Sequence, residues 1–149
     1  MQTDTLGFYL LRFSCLNRGI LKNLASKVGL SVTELRIMLT FTRSSEQTVS
    51  NIASCLSIQK GRVSPLVQDL FEKDIVRRHT SSDDRRVVFL YLTRKGERIL
   101  DKISVNFEKL FQDGSKKLTV KQNECMRKGM KVVIEVLMEN DGIGVSVDQ

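Results

Sequence analysis

The sequence predicts a mainly α-helical (α+β) fold that consists of six helices and one two-stranded hairpin. Apolar residues recur at intervals of three and four over most of the chain, which is the spacing of amphipathic helices. Residues 75–80 and 87–92 instead have the β-branched and aromatic content of strands, and the loop between them is wholly polar. With 149 residues, 41% hydrophobic and 28% charged, the chain is expected to form a single domain with a substantial core.

The composition argues against a membrane protein, a secreted protein and an enzyme. No apolar run approaches the roughly 18 residues that span a bilayer, and the N-terminus lacks a basic leader followed by an apolar stretch, so we expect a cytoplasmic protein. Three widely spaced cysteines and a single histidine, His79, form neither a disulfide framework nor a compact set of metal ligands. The usual residues of general acid–base catalysis are also few. We therefore expect no enzymatic activity, metal or cofactor.

The N-terminal part of the chain predicts two helices. The first is expected over residues 5–28, with one apolar stripe, and Gly29 supplies the left-handed position that ends a helix. Ser31 and Glu34 then form an S-x-x-E capping box. The second helix is expected to run from this box to about residue 41, buried on several sides.

A helix-turn-helix is expected next. Thr48 is placed to cap the third helix, and residues 56–58 form the turn. The fourth helix, over residues 59–73, buries one apolar face that consists of Val63, Leu66, Val67 and Leu70. Pro65 lies in its first two turns, where we expect a slight bend and not a break.

Two further helices are expected after the hairpin. Thr93 is placed to cap the fifth helix, which carries apolar residues at helical spacing. Thr119 and Gln122 form a second capping box, from which a sixth helix runs to about residue 138. The tail over residues 140–149 is rich in Gly and Asp and is expected to fray.

Residues 31–96 therefore predict a helix-turn-helix followed by a hairpin, the arrangement called a winged helix. Residues 59–98 contain ten Lys/Arg and six Asp/Glu, a net charge of +4, and the whole chain carries +7. Over half of the net charge thus falls in about a quarter of the residues. A basic helix-turn-helix is typical of a protein that binds the DNA backbone.

The wing residues carry a resemblance to a known family. Residues 84–96 read DRRVVFLYLTRKG and match the pattern D-x-R followed by a strand that ends L-T-x-x-G. This pattern, together with the helix-turn-helix over residues 51–73, resembles the MarR (multiple antibiotic resistance regulator) family of transcription factors. The string VSPL at residues 63–66 is similar to the variant found in the family's peroxide-sensing branch.

The resemblance implies a homodimer that binds a pseudo-palindromic operator in double-stranded DNA. Residues 1–29 and 97–139 would form the dimerisation helices, and each subunit would present one winged helix. It also implies a repressor that releases DNA when a small anionic or phenolic molecule, or an oxidant, binds near the dimer interface.

Three positions depart from the family pattern. Ser57 occupies the turn position that is usually glycine, so its backbone must adopt a less favourable conformation. Gln59 is a weaker helix cap than the usual Ser or Asp. The reactive cysteine of the peroxide-sensing branch would fall near Gly7, not at Cys15, so that redox mechanism does not carry over.

The solvent face of the fourth helix is the candidate DNA-reading surface. Arg62 can form a bidentate pair with guanine, and Gln68 with adenine. Lys60 is suited to a phosphate contact, and Gly61 lets the backbone approach DNA closely. Ser64 and Pro65 share this face, whose alternative interpretation is an ordinary solvated surface.

The wing is the second candidate DNA contact. Arg86 would enter the minor groove, where negative potential is concentrated. Asp84 would hold the Arg86 guanidinium through a bidentate pair. Arg85 and the strand pair Arg77 and Arg78 are suited to phosphate contacts. The alternative is a solvated charged turn, in which an exposed ion pair contributes about 0–1 kcal/mol.

Candidates for a regulatory site are weaker. Tyr9, Phe13 and Met38 could line an effector pocket, although apolar residues at helical spacing more often belong to the core. Cys15, one turn before Arg18, is the candidate redox sensor, and its alternative is a small structural residue.

A protein-docking winged helix is the competing function, because some winged helices never read DNA. The basic wing and the exposed Arg62 and Gln68 argue against it, since a docking surface is more often apolar. A DNA-binding regulator is therefore the favoured hypothesis.

Overall fold

The structure, a computed structural model, describes residues 5–41, 45–82, 84–115 and 118–140. Its elements, in chain order, are α1 (Leu6–Lys27), α2 (Val32–Met38), α3 (Val49–Leu56), α4 (Lys60–Glu72), β1 (Val76–Thr80), β2 (Val88–Leu92), α5 (Arg94–Ser115) and α6 (Val120–Asn140). Six helices and an antiparallel pair of strands confirm the predicted fold class. The predicted tail beyond residue 140 lies outside the described residues.

The helices begin at the predicted caps. The backbone N–H of Glu34 donates to the Ser31 hydroxyl at 3.1 Å, and the Glu34 carboxylate accepts from the Ser31 N–H at 2.7 Å. Thr119 and Gln122 form the same reciprocal pair at 3.3 and 2.8 Å. Thr48 accepts from the backbone of residue 51, as predicted. These bonds satisfy backbone donors that a helix start leaves unpaired.

Helix α2 ends three residues earlier than predicted. Its last helical residue is Met38, and the Thr40 hydroxyl donates to the Ile37 carbonyl oxygen at 2.7 Å. Such a bond satisfies a backbone carbonyl without continuing the helix. Phe41 is nevertheless buried, so the predicted apolar run is used in the core beyond the end of the helix.

The core lies between α2, α3, α4 and the hairpin. Its largest fully buried side chains are Leu35, Ile37, Met38, Ile52, Val63, Leu70 and Val76. Of the apolar face predicted for α4, Val63, Val67 and Leu70 are buried and Leu66 is partly buried. The helix continues through Pro65, as predicted. Burial of this face leaves the opposite face of α4 in solvent.

Both departures in the helix-turn-helix have the expected structural consequence. Ser57 adopts a left-handed conformation, with φ 52° and ψ 43°. Gln59 occupies the cap position of α4 and makes no side-chain capping bond. A second residue with a left-handed backbone, Asp74, was not predicted; its φ is 58° in the turn between α4 and β1.

The wing hairpin is tied to the helix-turn-helix by a third short segment. Strands β1 and β2 pair from Val76 with Leu92 to Thr80 with Val88. Gln47 extends this sheet by exchanging two backbone hydrogen bonds with Leu90, at 2.9 and 2.7 Å. Its buried side chain also donates to the Thr40 carbonyl at 3.2 Å. The entry to α3 is therefore fixed against the wing.

An ion pair with one buried partner connects α2 to the end of α4. The Lys73 ammonium lies 2.6 Å from the buried carboxylate of Glu34. Burial raises the pKa of this carboxyl, but hydrogen bonds from Lys73 and from Ser31 outweigh that effect and hold the pKa below its ordinary value. Glu34 therefore acts as a helix cap and as an anion at the same time.

The terminal helices bury little of their surface. In α1 only Leu24 and Ala25 are buried. None of residues 120–137 of α6 is buried, and its exposed apolar side chains include Val132 and Ile134, which are 56% and 50% exposed. Within the described residues, no helix combines the length and apolar character needed to cross a bilayer.

The start of α5 packs against the start of β1 through Gly96. A Cβ at this position would clash with the carbonyl oxygen of Ile75 and crowd the Leu92 side chain. The same Ile75 carbonyl accepts from the Thr93 backbone at 3.0 Å, so it cannot move away without breaking the junction. Only glycine fits here.

We expect Gly96→Ala to lower the free energy of unfolding by about 1–3 kcal/mol, the usual cost of overpacking a close contact. Gly61→Ala is the matched control, because a Cβ there meets open space and alanine favours a helix by up to about 1 kcal/mol. Urea titrations of both variants measure the difference. Equal midpoints would contradict the close contact at Gly96.

Candidate nucleic-acid interface

The predicted DNA-reading residues lie together on the exposed face of α4. All six are exposed: Lys60, Gly61, Arg62, Ser64, Pro65 and Gln68. They are held there because Val63 and Leu70, on the opposite face, are fully buried. A helix fixed by its apolar face and exposed along a polar face can enter the major groove of DNA.

Two side chains on this face already make hydrogen bonds. The Ser64 hydroxyl donates to the Lys60 carbonyl oxygen at 3.1 Å. The Gln68 amide donates to the Glu72 carboxylate at 3.1 Å. A bidentate contact from Gln68 to adenine uses both the amide oxygen and the amide nitrogen, so Gln68 must first leave Glu72.

The wing tip differs in one respect from the prediction. Asp84 accepts a hydrogen bond from the backbone N–H of Arg86 at 2.9 Å, and its carbonyl accepts from Val87 at 2.9 Å. The side-chain pair predicted between Asp84 and Arg86 is not formed between these two described residues. A short Asp side chain preferentially bonds to the backbone two residues on and closes a turn. Asp84 therefore shapes the turn and leaves the exposed guanidinium of Arg86 in solvent.

The root of the wing has a feature that the sequence did not reveal. The guanidinium carbons of Arg77 and Arg78 lie 5.2 and 4.9 Å from the centre of the Phe71 ring. Arg77 also forms an ion pair with Asp74 at 2.6 Å. Phe71 lies in the last turn of α4 and the two arginines lie in β1, so no periodic pattern connects them. A cation–π contact across a turn becomes visible only when the turn geometry is known.

A cleft joins the face of α4 to the wing. It has a volume of about 250 Å³, and Ser64, Gln68, Phe71, Arg78 and Val88 are among its lining residues. The exposed face of α4 and the root of the wing, where Arg77 and Arg78 lie, are therefore neighbours on one surface. Arg78, which was predicted together with Arg77 to contact phosphates, lies beside Gln68, a predicted base-reading residue.

The single histidine lies on the wing. His79 Nε2 is 3.5 Å from the Glu46 carboxylate, and the ring lies 5.6 and 5.9 Å from the rings of Phe89 and Tyr91. Among the described residues, no group of three His, Cys, Asp or Glu side chains is placed to hold a metal ion.

The effector-pocket prediction is wrong for Met38, which is fully buried in the core. Apolar residues at helical spacing were the only signal for it, and that signal does not distinguish a pocket from a core. Phe13 does line a cavity of about 800 Å³ between α1, α5 and α6, where Phe107 and Met130 face it. Tyr9 is exposed on α1 and is not part of this lining.

Cys15, the candidate redox sensor, is exposed on α1, and its sensor role stays a prediction.

The chain is similar to known transcriptional regulators in sequence and in fold. The family described as "Transcriptional regulator SarA/Rot" matches residues 19–103. An uncharacterised HTH-type transcriptional regulator from Bacillus subtilis, YhbI, is 27% identical over 109 residues, which are 73% of this chain and 71% of that protein.

Two solved structures illustrate the similarity in fold. A MepR mutant from a multidrug-resistant S. aureus clinical isolate superposes with a TM-score of 0.76 at 19% identity, over 90% of this chain and 99% of that one. A MarR mutant from E. coli, complexed with operator DNA, gives a TM-score of 0.61 at 20% identity, over 86% and 92% of the two chains. The family match covers more than half of this chain, and the fold agrees with it. The chain therefore belongs to the SarA/Rot family of transcriptional regulators, DNA-binding proteins with a MarR-like winged helix.

Proposed function

We propose that the chain acts as a homodimeric, sequence-specific repressor that binds a pseudo-palindromic site in double-stranded DNA. The observation that carries this proposal is the common surface formed by the polar face of α4 and the root of the wing, which share one cleft. Arg62 and Gln68 on α4 and Arg86 on the wing are all exposed. A basic, polar surface of this shape fits the groove and backbone of DNA.

The base-reading step is assigned to α4. Arg62 pairs with a guanine edge in the major groove, and Gln68 pairs with adenine after its amide leaves Glu72. Lys60 binds a phosphate, and Gly61 allows close approach because it presents no side chain. Glu72 competes with DNA for the Gln68 amide and repels phosphates. It therefore favours DNA sites in which Gln68 meets an adenine.

The wing is assigned to the minor groove and the backbone. Arg86 enters the groove, and the hydrogen bond from its backbone to Asp84 fixes the turn from which its side chain projects. Arg85 contacts the adjacent phosphates. These contacts position the protein and supply affinity, whereas base identity is read by α4.

The homodimer is proposed because the terminal helices leave apolar surface uncovered. Large apolar side chains are exposed along both α1 and α6, among them Leu6, Leu11 and Leu16 on α1 and Val132, Ile134 and Leu137 on α6. Helices of this kind gain free energy by packing against a second copy. We assign residues 1–29 and 97–139 to this interface and residues 31–96 to DNA binding, within one domain.

Repression is the proposed sign of regulation, because a dimer seated across a promoter blocks it without any further contact surface. A small molecule or an oxidant is the proposed signal for release, with the cavity beside Phe13 and the exposed Cys15 as the places that would receive it. We propose no enzymatic activity and no cofactor, and a cytoplasmic location beside the DNA.

Substitution of two arginines tests the DNA-binding proposal. Arg62→Ala should cost about 1–3 kcal/mol on the cognate duplex and much less on a scrambled duplex, because it removes a base contact. Arg86→Ala should weaken binding to both duplexes alike and flatten the slope of log K against log salt, because fewer counterions are released. Salt titrations of binding on the two duplexes measure both effects.

Lys128→Ala, a charge change on the exposed surface of α6, serves as the control and should leave the salt slope unchanged. Unchanged affinity and slope for Arg86→Ala would mean that the wing does not contact DNA. The protein-docking module would then become the better interpretation of the winged helix.

Sedimentation at micromolar concentration tests the dimer. The wild-type protein should sediment at twice its chain mass of 17.0 kDa. Ile134→Glu should shift it toward the monomer, because the charge would be buried in the interface. Lys121→Glu places the same charge on the same helix at an exposed position that is already polar, and it should leave the dimer intact. A monomeric wild-type protein would contradict the proposed architecture.

A further inference from the structure

We infer that Phe71 is a positioning residue for DNA binding, whose ring holds Arg78 beside the recognition face so that the guanidinium meets a backbone phosphate. The inference rests on the proposed DNA-binding function. It adds Phe71, which the sequence did not assign to the site, and it singles out Arg78 among the predicted phosphate contacts. Arg78 is the phosphate contact, and Phe71 acts through Arg78 without touching DNA.

The two arginines at the root of the wing are not equivalent. Both guanidinium groups lie over the Phe71 ring, Arg77 at 5.2 Å and Arg78 at 4.9 Å from its centre. Arg77 is paired with the exposed Asp74 carboxylate at 2.6 Å, so a phosphate must compete with that carboxylate for its guanidinium. The Arg78 guanidinium has no such carboxylate partner among the described residues. Arg78 is therefore the cation that remains available to an incoming phosphate.

The location of Arg78 fits a groove-edge phosphate. Arg78 lines the same cleft as Ser64 and Gln68, which lie on the predicted DNA-reading face of α4. When a helix lies in the major groove, the DNA backbone runs along the edge of that groove. The protein element packed beside the helix can then contact its phosphates. In this chain that neighbouring element is β1, which carries Arg78 at its third residue.

Phe71 has a clear physical role in this arrangement. Its ring is partly buried at the end of α4 and presents a π face to the arginine. A planar guanidinium stacks on such a face while its N–H groups stay free to donate. Because the side chain is already ordered, less entropy is lost when it binds a phosphate. A leucine would fill similar space without offering that face.

Binding titrations on the cognate duplex at several salt concentrations test the inference. Arg78→Ala should lower the affinity about tenfold or more and reduce the salt slope by about one, the loss of one phosphate contact. Phe71→Leu should lower the affinity severalfold. The double variant should be no weaker than Arg78→Ala alone, because Phe71 acts only through Arg78. Arg77→Ala, the matched control, should have a smaller effect than Arg78→Ala.

Arg78→Lys provides a test that does not depend on the folding of the Phe71 variant. Lysine keeps the charge but cannot stack as a planar group, so the salt slope should be retained while the affinity falls severalfold. The inference would be overturned if the affinity losses of the two single variants multiplied in the double variant. It would also be overturned if Arg78→Ala bound DNA like the wild-type protein. Failure of the wild-type protein to bind any duplex would instead overturn the proposed function itself.

Discussion

The side chain of Thr93 forms the junction between the turn that follows α4 and the start of α5. The Thr93 hydroxyl donates to the Asp74 carbonyl oxygen at 2.7 Å and accepts from the Gly96 N–H at 3.1 Å. One side chain thus caps α5 and holds the turn between α4 and β1. Gly96 completes the junction because only a residue without a Cβ can pack against the Ile75 carbonyl. Four elements consequently meet at this junction: the end of α4, the two strands of the wing and the start of α5.

This junction gives the proposed DNA-binding surface a fixed relation to α5. Lys73, in the same turn, pairs with the buried Glu34 of α2, and Lys95 donates to the Lys73 carbonyl at 2.6 Å. Helix α5 leads directly from the junction to the cavity beside Phe13. A change in how α5 packs would therefore be transmitted to the wing and to α4 together.

Local signals predicted the fold well, whereas contacts between distant segments were not predictable. The capping pairs at Ser31 and Thr119 depend on residues three apart, and a short spacing is readable from sequence. The pairing of Gln47 with Leu90 and the stacking of Arg78 on Phe71 depend on how separate elements meet. The error at Met38 has a similar origin, because an apolar helical position does not reveal whether it faces a cavity or the core. Asp84 was assigned the wrong partner because its backbone bond competes with the side-chain pair.

The most direct test of the two-fold winged-helix regulator is the footprint that the protein leaves on DNA. Duplexes would be selected by binding from a random-sequence pool and then probed with hydroxyl radicals. We expect a recovered sequence with two inverted half-sites whose centres lie about one helical turn, roughly 10 base pairs, or a multiple of it, apart. Protection should cover the major groove of each half-site and a flanking minor groove. Recovery of no common sequence, or protection of one isolated half-site, would contradict a dimer that reads DNA through paired α4 helices.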